Sequence, residues 1–225
     1  MNALLLIGSP KARRSTSEAV GTYLLDRLRE QGVETDLLRI LSMLRAEDGE
    51  ERLRTAVRAA DVVILASPLY VDSLPAPVIR AMEILAAAAV ASAKQVPAAT
   101  QRLTAIINNG FPEASQNGTA LAICRRFAAE VGMEWVGGLA LGGGGAIDGK
   151  PLDKAGSMAR NVRRALDLTG EALAAGQHIP GEAVDLMAKP LMPTWLYTGI
   201  GSIGWWFQMR KRGTGGKLRD RPYEP

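Results

Sequence analysis

The residues best placed to do chemistry sit in loops that follow short apolar runs. The first loop reads Gly8-Ser9-Pro10-Lys11-Ala12-Arg13-Arg14-Ser15-Thr16-Ser17 and leads into a helical pattern. The first turn of a helix offers unpaired N–H groups and a positive dipole end. A phosphate can be held there by those amides with Ser9, Ser15, Thr16 and Ser17, while Lys11, Arg13 and Arg14 add positive charge. A helix cap alone needs one hydroxyl and stabilises by about 1 kcal/mol, so the three clustered hydroxyls of Ser15, Thr16 and Ser17 and three cations exceed that need. The spacing is neither GxGxxG nor a Walker loop, which favours a monophosphate over a dinucleotide or a nucleoside triphosphate.

Two more loops have the composition of a binding rim. One runs from Pro68 to Pro77 and contains Leu69, Tyr70, Val71, Asp72 and Ser73; it can lay backbone amides along the edge of a flat heterocycle. Asn109-Gly110-Phe111 forms the other, a turn ahead of a helix that Asn117 or Thr119 can cap. A fourth segment, residues 142–153, opens with four glycines that permit close backbone approach to a ligand or to another subunit. Asp72, Glu113 and Asp148 are carboxylates in these loops, and none is assigned a catalytic role. Cys124 shares an apolar helical stripe with Leu121, Ala128 and Val131 and reads as a buried structural thiol. His178 has no partner pattern for a metal or a triad and reads as a loop residue, so no metal site is expected.

These loops need elements to carry them. Ala3–Ile7, Val62–Ala66, Leu103–Ile107 and Val136–Leu141 are apolar runs of the kind buried on both faces of a parallel sheet, with Thr35–Ile40 as a weaker, edge-like candidate. Helical periods lie between them: Val20 to Leu28, Leu53 to Ala60, Val78 to Leu85, Leu121 to Val131, and Met158 to Leu173. Such alternation forces crossover connections and parallel pairing. The expected class is α/β: a doubly wound, five-stranded parallel sheet in residues 1–180, followed by a C-terminal extension, 181–225. Ligands bind such sheets at the carboxyl ends of the strands, where strand order reverses.

The 225 residues, 47% hydrophobic, suffice for one large core, and a single cysteine excludes an intrachain disulfide or a four-cysteine cluster. Six of the cations lie in residues 210–221 against one carboxylate, leaving the rest of a chain of net charge +4 near −1. A general nucleic-acid surface is therefore not expected. The start of the chain runs directly into a strand-like segment too short for a signal peptide, and a reducing cytoplasm is expected.

At these loops the chain resembles the NAD(P)H-dependent FMN oxidoreductase family of flavodoxin-like proteins. Its strand-then-loop opening is similar to theirs, and Pro68-Leu69-Tyr70 looks like the family's P-x-Y loop beside the flavin ring; the likeness extends to about residue 175. The resemblance implies FMN as cofactor, NAD(P)H as co-substrate and a small acceptor such as a quinone, a nitro or azo compound or a free flavin. It also implies a homo-oligomer; hydride transfer to flavin needs alignment more than a protein base, so no catalytic side chain is assigned. Carried over residue by residue, the cofactor-binding set is Ser9, Lys11, Ser15, Thr16, Ser17, Pro68, Leu69, Tyr70, Val71, Asp72, Ser73, Asn109, Gly110 and Phe111. An FMN electron carrier or redox sensor that does not oxidise nicotinamide is the alternative from another class.

The extension places Trp195, Trp205, Trp206 and Phe207 in a nearly uncharged stretch that ends in Arg210, Lys211 and Arg212. One reading is an arm that covers apolar surface, on this chain or a neighbouring subunit; this reading is preferred. A peripheral segment on an anionic membrane surface is the second. A spanning helix is disfavoured by Gly199, Gly201 and Gly204, each costing about 1 kcal/mol in a helix interior.

Overall fold

Strands that are apolar on both faces must be covered on both faces. In the computed structural model, which describes residues 1–11, 14–92 and 101–213, they form one parallel sheet in the order β2-β1-β3-β4-β5. The strands are β1 (Asn2–Ile7), β2 (Glu34–Arg39), β3 (Val62–Pro68), β4 (Arg102–Asn108) and β5 (Glu134–Leu141). Successive side chains point to opposite faces. Leu5, Ile7, Ile64 and Ile106 therefore pack with Leu24 and Leu28 of α1 (Thr16–Glu30) and Leu166 of α6 (Arg160–Ala174). Leu4, Leu6, Val63 and Ile107 face α3 (Gly49–Ala59), α4 (Ala76–Ser92) and α5 (Gly118–Val131). Strand order reverses between β1 and β3, where a doubly wound sheet opens a crevice.

Three local features depart from the sequence pattern. The edge-strand candidate Thr35–Ile40 ends at Arg39, because Ile40 begins a short helix, α2 (Ile40–Leu44), whose Ile40 and Met43 are buried. The helical series from Met158 is split. Leu152–Ala159 is a 3₁₀ run broken at Gly156, whose φ of 65° no helix uses, and α6 starts only at Arg160. A further helix, α7 (Gly181–Ala188), follows a chain segment in which the Ile179 amide donates to the Val136 carbonyl at 2.9 Å. Its Ala183 and Met187, four residues apart on one face, are fully buried in the core beside β5. The first compact unit accordingly runs Met1–Leu191 and includes residues 181–191, which composition alone assigns to the extension.

The second unit spans Met192–Pro225, and its described part is one helix, α8 (Thr194–Lys211). No described helix is long and apolar enough to cross a membrane.

Cys124 lies inside the α5 contact with the sheet, fully buried, and burial pushes its thiol from 9.0 up to about 12. Unfolded, the thiol ionises at its ordinary value; folded, it keeps its proton until about pH 12. Between these values the unfolded state has lost a proton the folded state holds, so stability falls as pH rises. Cys124→Ala should flatten that alkaline decline in urea-unfolding midpoints measured between about pH 8 and pH 11. An unchanged slope would place the alkaline sensitivity elsewhere, with Tyr23, also raised to about 12 by burial and by its bond to Asp167, as the next group to replace.

Candidate functional site

β1, β3 and β4 are neighbours in a parallel sheet, so the chain leaves all three at one edge. Backbone bonds then tie the departing loops sideways. Gly8 N–H donates to Ala66 O at 2.8 Å, Leu69 N–H to Asn108 O at 2.8 Å, and Asn109 N–H to Leu141 O at 3.1 Å. Ser15, Tyr70 and Asn109 thus stand on a common rim.

Ser15 is the N-cap of α1. Its Oγ accepts from the Glu18 amide at 3.1 Å, and the Glu18 carboxylate reaches back to the Arg14 amide at 3.0 Å, a close variant of the capping box. Arg39, at the end of β2, pairs with that carboxylate and offsets its charge beside the helix terminus. The pattern Ser15-x-x-Glu18 is legible as a capping signal; the contribution of Arg39 has no sequence signal.

The other two hydroxyls of the first loop are engaged within the fold. Thr16 donates to the Gly144 carbonyl at 2.7 Å and Ser17 donates to Asn108 Oδ1 at 2.7 Å, both bonds buried. Their single protons are used there. What this terminus offers an anion is the pair of backbone amides of Thr16 and Ser17, which have no partner among the described residues, and the Ser15 hydroxyl proton. Ser9 is buried and accepts from the Lys11 amide at 3.3 Å, while Lys11 and Arg14 are exposed. Arg13 lies outside the described residues.

The loop after β3 makes a tight hairpin turn. Tyr70 N–H donates to Ser73 O at 2.8 Å and Ser73 N–H to Tyr70 O at 3.1 Å, with Val71 and Asp72 between them at φ 49° and 57°. Positive φ at both central residues is the type I′ pattern, which ordinarily uses Asn-Gly. An L-residue held there costs about 1–2 kcal/mol, and a β-branched one is a marked outlier. Val71 is also 98% exposed, so no packing offsets the strain. Pro68 ends β3, Leu69 packs against the core, and Tyr70 and Asp72 are exposed.

Asn108 and Asn109 join the rim together. Asn108 accepts from Ser17 through its side chain and from Leu69 through its carbonyl; sequence reasoning misses this hub because it is the last residue of an apolar strand. Asn109 Nδ2 donates to Glu113 O at 3.0 Å, and its buried Oδ1 has no partner among the described residues. Gly110 and Phe111 are exposed. Asn117 precedes α5 without a side-chain cap and donates instead to Leu141 O at 3.2 Å. His178 lies on the first unit's surface, 2.9 Å from Glu134. Among the described residues no cluster of candidate ligands could hold a metal.

The glycine-rich segment after β5 approaches other loops of this chain. A Cβ on Gly144 would come within 3.1 Å of Asn108 Nδ2 and Asn109 O, and one on Gly149, at φ 67°, would lie 2.0 Å from Arg14 O. These glycines let the fifth loop brace the first and fourth from behind. A recess of about 710 Å³ opens between α1 and Asp148–Lys154 on that side.

Residues 1–110 match the NADPH-dependent FMN reductase family, a span just short of half the chain that contains the loops after β1 and β3 and the start of the loop after β4. This match places the segment with the FMN reductases. That family is described by NADPH-dependent reduction of FMN. No curated protein matches the chain in sequence. Solved structures share the flavodoxin-like fold. One is RosB bound to 8-demethyl-8-formylriboflavin-5′-phosphate, at 11% identity and TM-score 0.58 over 91% of this chain and 87% of that one. Another is an FMN-dependent NADH-azoreductase from Bacillus anthracis in complex with FMN, at 12% and 0.55 over 77% and 100%. A Streptococcus pneumoniae flavodoxin matches at 16% and 0.53 over 78% and 99%.

Two substitutions test this geometry of the rim. Ser17→Ala leaves Asn108 Oδ1 buried without a donor and should destabilise by about 1–3 kcal/mol in chemical denaturation. Replacing Val71-Asp72 by Asn-Gly should raise stability by about 2 kcal/mol by removing the left-handed strain. A neutral or destabilising result for the second would mean that the turn is not held in the left-handed region.

Proposed function

We propose that FMN lies on the rim formed by the loops after β1, β3 and β4, and that the protein passes electrons there from NAD(P)H to a small acceptor. One observation carries this placement. The Thr16 and Ser17 amides and the Ser15 hydroxyl are donors without a partner among the described residues at one helix N-terminus, in the loop that carries the exposed Lys11 and on the same rim as a strained, exposed turn. The donor set suits a phosphate monoester, and Asn109 Oδ1 is a buried acceptor without a donor at the same edge.

In this reading Ser9, Lys11, Ser15, Thr16 and Ser17 hold the phosphate, Thr16 and Ser17 through their amides. Pro68, Leu69, Tyr70, Val71, Asp72 and Ser73 border the ring, and Asn109, Gly110 and Phe111 face the ring or the ribityl chain. When bound, FMN supplies hydride acceptance and electron release, so the chain needs no acid or base at the reacting atoms. The protein's part is to fix the ring's edge and leave one face open. Tyr70 and Phe111, 46% and 63% exposed, offer apolar contact beside that face to a nicotinamide or a flat acceptor. Quinones, nitro and azo compounds and free flavins all fit an open face. A homo-oligomer whose neighbour covers part of this apolar rim, in the cytoplasm, completes the reading.

Protein reconstituted with FMN should be yellow and should bleach on anaerobic addition of NADPH. A bound flavin that nicotinamide does not reduce in stopped-flow mixing would instead indicate an electron carrier. Ser15→Ala should weaken FMN about 5- to 30-fold while riboflavin binding stays unchanged, since only FMN carries the phosphate. Equal losses for both ligands would remove Ser15 from the phosphate site.

A further inference from the structure

α8 has a composition that suits neither water nor an ordinary protein face. From residue 190 to 209 the chain carries no charged side chain, and from Lys189 to Arg219 it has six cations and no carboxylate. Trp195, Trp205, Trp206 and Phe207 are exposed. Three glycines, Gly199, Gly201 and Gly204, each cost the helix about 1 kcal/mol, so isolated in water it would be marginal. Something outside the helix must hold it.

The polar groups of α8 are arranged for a partner that is apolar along the helix and anionic at its end. Thr198 turns its hydroxyl back onto the Thr194 and Trp195 carbonyls at 3.0 and 3.1 Å, hiding its one donor from the surroundings. At the C-terminal end Trp206 packs edge-on to Phe207 at 5.2 Å, and the Arg210 guanidinium lies 4.7 Å from the Trp206 ring centre. Arg210, Lys211 and Arg212 follow without a carboxylate partner among the described residues. Charge and apolar surface are thus divided along the axis, with aromatic rings at the junction. Tryptophan prefers the boundary between headgroups and acyl chains, and the cations need an anion just beyond it. A second copy of the helix meets only half of this requirement, since it brings like charge.

We propose that α8 is a peripheral anchor for a bilayer containing anionic phospholipid, with Trp205, Trp206 and Phe207 at the acyl boundary and its terminal cations on the lipid phosphates. The anchor neither depends on the flavin site nor spans the bilayer.

The test uses the full chain with two vesicle populations, pure phosphatidylcholine and phosphatidylcholine mixed with phosphatidylglycerol. The protein should co-sediment with the anionic vesicles, weakly with the neutral ones, and less at high salt. Tryptophan emission should shift to the blue on binding, because three of the four tryptophans lie on α8. Reversing the charges of Arg210, Lys211 and Arg212 to Glu should weaken vesicle binding about a hundredfold or more. Replacing Trp205, Trp206 and Phe207 by Ser should weaken it at least about tenfold. Circular dichroism and NADPH oxidation of both variants should match those of the parent chain and serve as the folding control. The proposal is overturned if the folded parent chain ignores anionic vesicles, or if it binds neutral ones equally well. It is also overturned if the aromatic substitutions dissolve an oligomer without altering vesicle binding, which would assign α8 to a second copy.

Discussion

The buried hydrogen bond from Ser17 to Asn108 sets the geometry on which the rest of the rim depends. It ties the first turn of α1 to the end of β4 across the intervening strand β3, and the Asn108 carbonyl in turn receives the chain leaving β3. Asn108, through its side chain and its carbonyl, therefore registers three loops against each other. With the Thr16 bond to Gly144, it also determines which groups of the helix terminus stay available, because a hydroxyl that donates inward leaves only the amides beside it to meet an anion.

A rigid sheet allows such a rim to hold strain. Arg14, Val71, Asp72 and Asp148 all have positive φ without being glycine, and all four lie in the loops that leave the carboxyl edge of the sheet. Residues in the left-handed region persist where their surroundings over-determine them. Here the determinants are the paired backbone bonds of the Tyr70–Ser73 turn and the close approach of Gly149 to Arg14. Exposed apolar groups at Val71 and Phe111 are unfavourable in water and useful only against a flat or apolar partner.

Much of this architecture is readable from residue order. Apolar runs such as Ala3–Ile7 and Val62–Ala66 need no context to be recognised as doubly buried, and the helix periods between them leave only a parallel topology. The loops after β1, β3 and β4 stand out for the same reason: chemistry-bearing residues at the ends of buried strands. The direction of each hydroxyl is not readable, since Thr16 and Ser17 find partners 128 and 91 positions away in the chain. The burial of Ala183 and Met187 is equally hidden, because an eight-residue helix with two core contacts has too few periods to signal itself.

The two margins of the sheet are treated differently. β2 carries Glu34, Asp36 and Arg39 along its length, charges that discourage another strand from joining it. β5 has no such protection from Val136 to its end at Leu141; on that side the Ile179 amide takes the Val136 carbonyl and α7 lies over the strand. A chain cut just before α7 would keep every rim loop yet lose its cover on that border. Such a fragment would be prone to strand-by-strand polymerisation, so α7 serves the border of the sheet rather than its rim.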